Sequence, residues 1–68
     1  MLTMDYRYVD NLSADQVMEN DLVQIAGEIV QIIEIQSTKN GYIFTYQNEF
    51  GEKEVDEFSD DVIFKLFV

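Results

Sequence analysis

Short runs of β-branched and aromatic residues, each closed by a turn signal after about ten residues, constrain this chain more than any other feature. Residues 1–9 alternate Leu2, Met4, Tyr6 and Tyr8 against Thr3, Asp5 and Arg7, which is the period of a strand. Residues 21–26 carry Leu22, Val23 and Ile25, and Ala26-Gly27-Glu28 turns tightly into the β-rich run 29–36, so a hairpin is expected. That second run is apolar on both faces, Ile29, Ile33 and Ile35 against Val30 and Ile32, which predicts a central strand that bends across the core. Asn40-Gly41 is a further hairpin signal. After it, Tyr42, Phe44 and Tyr46 alternate with Ile43, Thr45 and Gln47, and a turn over residues 48–52 leaves Gly51 free to take positive φ. Residues 53–58 form the returning strand around Val55. Ser59-Asp60-Asp61 connects it to a last strand over residues 62–68. The chain has no Pro, and its three Gly all fall where a turn is expected.

One stretch departs from the strand period. Ser13 followed by Gln16 is a capping-box pattern with Val17 and Met18 behind it, which predicts one or two helical turns within residues 14–19. Asn20 follows, and Asn tolerates the left-handed conformation that ends such a turn. Strands this short and evenly spaced predict a small antiparallel barrel, which also disposes of exposed sheet edges. The expected fold is all-β: a five-stranded SH3-like barrel with an extra N-terminal strand and a short helical turn, one domain over residues 1–68.

A chain of 68 residues has little core to spare. It buries about 60% of its unfolded surface, for a net stability on the order of 3–5 kcal/mol. With no Cys and no His it has neither a disulfide nor a structural zinc site to reinforce it, which leaves oligomerisation. Its hydrophobic fraction of 47%, with four Tyr and five Phe, is too rich for a disordered segment. The N-terminus lacks the basic region and apolar core of a signal peptide, and no apolar run approaches the ~20 residues of a membrane span, so a cytoplasmic location is expected.

From Ser13 to Phe58 the order of signals resembles the N-terminal SH3-like (KOW-type) domain of elongation factor P and its hypusine-bearing eukaryotic relative. The residues that carry it are Ala14-Asp15-Gln16-Val17 with Asn20-Asp21, then Ile25-Ala26-Gly27-Glu28 with Val30, Ile32, Ile33 and Glu34, and finally Phe44, Asn48, Gly51 and Phe58. The resemblance implies the barrel fold and a setting in translation or transcription. The loop Ser37-Thr38-Lys39-Asn40-Gly41 is shorter than the family's modified-lysine loop and lacks its flanking glycines, so the modification is not carried over to Lys39.

Without His or Cys the chain lacks the commonest general base and the best nucleophile, while Ser13, Ser37 and Ser59 fall in expected turns with no base beside them. No enzymatic activity, catalytic residue, metal or cofactor is therefore expected. Asp56, Glu57, Asp60 and Asp61 lie close together but lack the Gly and closing Glu of a calcium loop.

Charge is the most particular feature. Fourteen acids against four bases give a net charge of -10, which argues against direct binding of nucleic acid or an anionic membrane and favours a basic partner, such as the basic surface of a nucleic-acid-binding protein. Half of the acids fall in residues 49–61: Glu49, Glu52, Glu54, Asp56, Glu57, Asp60 and Asp61. Glu52, Glu54 and Asp56 share one strand face at a pitch of roughly 7 Å. That row is either a partner-binding face or the solvated face of an edge strand, where charge blocks aggregation. Tyr42, Phe44 and Tyr46 are expected to pack in the core. Phe64, Leu66, Phe67 and Val68 make the last strand apolar on both faces, so either the N-terminal strand or a second copy in a homodimer must cover it. Two functions follow: a non-enzymatic binding module whose acidic face engages a basic macromolecule, or an assembly protein that oligomerises through its C-terminal strand.

Overall fold

The computed structural model describes residues 6–68, and one antiparallel sheet of six strands accounts for their fold. The strands are β1 (Tyr8–Ser13), β2 (Leu22–Ile25), β3 (Glu28–Ser37), β4 (Gly41–Gln47), β5 (Lys53–Ser59) and β6 (Ile63–Phe67). In space they run β1-β6-β2-β3-β4-β5. The all-β expectation holds, and the hairpins expected at Ala26-Gly27, Asn40-Gly41 and the turn over residues 48–52 are present as β2–β3, β3–β4 and β4–β5.

Turn chemistry closes the hairpins. Ala26 and Gly27 both take positive φ, 53° and 82°, as a two-residue hairpin turn requires. The β4–β5 turn is organised by Asn48. Its side-chain oxygen accepts the Phe50 and Glu52 backbone N–H groups at 2.9 and 3.0 Å, while Gly51 takes φ 81°. Gly41 closes the expected turn, its carbonyl accepting the Thr38 N–H at 2.8 Å, and is the first residue of β4. A Cβ there would sit 2.0 Å from the Phe58 carbonyl oxygen, so Gly is also needed for close approach of two backbones.

The helical turn is shorter than expected, a single 3-10 turn over Ala14–Gln16. Gln16 reaches back to accept the Ser13 backbone N–H at 3.0 Å, as one half of a capping box does. Ala14 and Val17 are both buried, and Val17 is already extended, so the chain leaves helical geometry to place its β-branched side chain in the core. Asn20 takes φ 75°, the left-handed conformation expected of it.

The expected double-faced character of β3 has a specific cause. Its pairing with β4 slips between Ile32 and Glu34, a bulge at Ile33. Ile32 opposite Tyr46 and Ile35 opposite Phe44 therefore lie on one face despite their odd spacing, and the strand bends there. Phe44, Ile32, Val23 and Val30 are the largest fully buried side chains. The sheet curls enough for the Phe58 and Phe64 rings, on strands four places apart, to meet edge-on at 5.0 Å. Phe44 lies 5.5 Å from each of them. Each such ring pair contributes about 0.5–1.5 kcal/mol beyond its buried area.

Two expectations about the termini are corrected. Among the described residues the N-terminal strand runs past the expected Val9 to Ser13, which pairs with Ile63 of β6, and ahead of Tyr8 the Arg7 and Val68 backbones exchange two hydrogen bonds of 2.9 Å. The expected positions Leu2, Thr3, Met4 and Asp5 lie outside the described residues. Of the two covers expected for the C-terminal strand, the N-terminal strand is the one seen among the described residues, which corrects the placing of Phe64 and Leu66 at an oligomer contact. β6 sits between β1 and β2 and pairs with both. Phe64 is buried and Leu66 packs against the core, so neither is open to a second copy.

Candidate interaction surface

The acidic residues are positioned by the β4–β5 hairpin. Residues directly opposite in an antiparallel pair share a face. Glu54 lies opposite Tyr46 and Asp56 opposite Phe44, so these carboxylates stand on the core side of the sheet, beyond the point where Phe58 and Phe64 close over it. They remain exposed because β5 ends the sheet. Lys53 is set on the other face by the alternation of the strand, together with Val55 and Glu57.

Tyr46 links the core to this acidic rim. Its ring is buried, and its hydroxyl donates to Asp56 Oδ2 at 2.5 Å. Burial, then the hydrogen bond to Asp56 and the negative charges of Asp56, Glu54 and Glu28, hold the phenol proton well above the ordinary tyrosine range. Asn48 extends the network, its amide donating to Glu54 Oε2 at 3.0 Å and more weakly to Glu52 Oε1 at 3.4 Å. The result is a rim of Glu28, Glu52, Glu54 and Asp56 around one buried phenol.

The structure thus divides the seven acids. Glu52, Glu54 and Asp56 gather on the core-side rim, with Glu49 in the adjoining turn. Glu57 faces the other way. Asp60 and Asp61 lie in the turn after β5, at least roughly 25 Å along the strand from Glu52 at about 3.3 Å per residue. Glu28 is the member missed from the sequence. It stands outside the acidic run, but it shares the alternation of Val30 and Ile32, the buried positions of β3. Among the described residues no group of three or more acidic side chains is arranged to hold a metal ion.

The opposite surface of the sheet is apolar in one row. Tyr8, Phe67 and Leu22 are aligned across β1, β6 and β2, and the Tyr8 and Phe67 rings meet edge-on at 6.0 Å. A shallow groove of about 450 Å³ lies here, lined by Tyr8, Asn11, Gln24, Lys65 and Phe67. Of the C-terminal residues expected at an oligomer contact, Phe67 lies on this face, and Val68 is exposed at the strand end. Phe50, at the tip of the β4–β5 turn, is the most exposed of the large apolar residues described, at 80%.

No family model matches the chain, and neither a curated protein nor a solved structure matches it.

Proposed function

We propose that this protein is a non-enzymatic binding module that engages a basic macromolecular surface through the acidic rim of its β4–β5 hairpin. The observation that carries this reading is a rim with no ion pair among the described residues: four carboxylates on one face of one hairpin and its neighbour strand, with Lys53 turned to the other face. Self-repulsion on such a rim costs stability, and a cationic partner would relieve it. Basic proteins that handle nucleic acids in transcription or translation, met in the cytoplasm, have the matching charge. In the same proposal β6-β2-β3-β4-β5 form a partly open SH3-like barrel of five strands and β1 is its added strand, similar to the first domain of elongation factor P.

The test is capture from cell extract at low salt followed by a wash at about 1 M NaCl, where the Debye length is only ~3 Å. A basic partner released by salt, and no longer captured by a Glu52→Gln, Glu54→Gln, Asp56→Asn variant, is expected. A salt-resistant partner, or recovery of the chain's own copies alone, would reject the acidic rim. That outcome would favour a second reading, assembly through the apolar row Tyr8, Phe67 and Leu22, which the exposure of Ile63 and Val68 beside it supports.

A further inference from the structure

The strand order leaves β1 and β5 at its two ends, and the ends differ. The β1–β6 ladder is broken by a slip between Tyr8 and Asp10, and a bulge of this kind spoils an edge as a template for another strand. β5 pairs with β4 through seven consecutive positions, from Gln47↔Lys53 to Gly41↔Ser59, without a break.

The ladder also determines which backbone groups of β5 are already used. At the turn the Asn48 N–H donates to the Glu52 carbonyl at 2.9 Å. Hydrogen-bonded and non-hydrogen-bonded pairs alternate from there. Glu54, Asp56 and Phe58 therefore direct their N–H and C=O groups to β4, and Lys53, Val55 and Glu57 direct theirs away from it. β4 is the only strand beside β5 among the described residues.

Side-chain charge selects the occupant. A second copy is disfavoured, since residues 52–57 hold four acids and one Lys, and each molecule carries -10 overall. An extended segment of opposite sign meets the reverse situation. Its alternate side chains would lie within cross-strand reach of Glu54 and Asp56, which stand two residues apart on one face. We infer that the free edge of β5 takes up an extended basic segment of a partner protein as an added strand, its backbone pairing with Lys53, Val55 and Glu57 and its Lys or Arg side chains facing Glu54 and Asp56. This rests on the acidic-rim reading and adds to it the mode of binding, strand addition.

Two labelled peptides of identical Lys-Val alternating sequence test it, one unmodified and one N-methylated at its central backbone nitrogens. Fluorescence anisotropy at low salt against the full chain is expected to show binding of the unmodified peptide and at least a tenfold loss on methylation. Val55→Pro removes one outward N–H and leaves the β4 ladder intact, a placement that edge strands tolerate. It should weaken the unmodified peptide at least tenfold with an unchanged circular dichroism spectrum. Should that variant unfold, the peptide pair on the unaltered chain still decides. Equal binding of both peptides would overturn strand addition and leave the acidic rim standing, whereas binding of neither peptide would overturn both.

Discussion

Tyr46 is where the core and the charged rim meet, and its ionisation ties stability to pH. The ordinary pKa of its phenol is 10.0, and the fold raises it through burial and three neighbouring carboxylates. Above pH of about 10 the unfolded chain has lost this proton and the folded chain keeps it. Unfolding then releases a proton, so stability must fall as pH rises, and the full contribution is present only below that point. Tyr46→Phe should flatten this alkaline decline in denaturant titrations at a series of pH values. At neutral pH the same substitution should cost about 1 kcal/mol through loss of the hydrogen bond to Asp56. An undiminished alkaline slope in the variant would assign the decline to other groups. The aromatic stripe of Tyr42, Phe44 and Tyr46 was legible as core because its alternation is regular. Contact between Tyr46 and Asp56 was not, since nothing in a strand period says which acid on the neighbouring strand a hydroxyl will reach.

At the scale of elements, the β4–β5 hairpin carries both the site and a weak point. Gly41 is packed so closely on the Phe58 carbonyl that a methyl group there displaces backbone. Gly41→Ala should destabilise the protein by roughly 1–3 kcal/mol, the usual range for overpacking. Against a total on the order of 3–5 kcal/mol this leaves the fold marginal, and thermal unfolding would show it directly. An unchanged midpoint would mean that the end of β4 moves freely away from β5. Strand boundaries here were read closely from the sequence, β4 and β5 to within a residue, because turn residues and apolar alternation agree. β1 runs on past the expected Val9 to Ser13 for the opposite reason: how far it continues is set by its pairing with β6, which is distant in sequence.

For the whole molecule, the dominant unbalanced quantity is charge. With a net charge of -10 and acids crowded on one hairpin, salt should raise the thermal midpoint as the Debye length falls from about 10 Å at 0.1 M to about 3 Å at 1 M. A Glu54→Gln, Asp56→Asn variant should start higher at low salt and gain less on salt addition. Equal gains in both proteins would place the repulsion elsewhere on the surface.

The sequence by itself determined strands β2 to β6, the turns, the capped helical start after Ser13 and the acidic run, all of which depend on neighbours a few residues apart. Tertiary structure decided the rest. It placed β6 inside the sheet between β1 and β2, where Phe64 joins Phe44 and Phe58 in the core, and so chose the N-terminal strand from the two covers left open for the C-terminal residues. It brought Glu28 to the rim from outside the acidic run. The physical reason is common to both. Alternation tells which residues share a face of one strand, but which strands lie side by side is set by burial of the whole apolar surface at once.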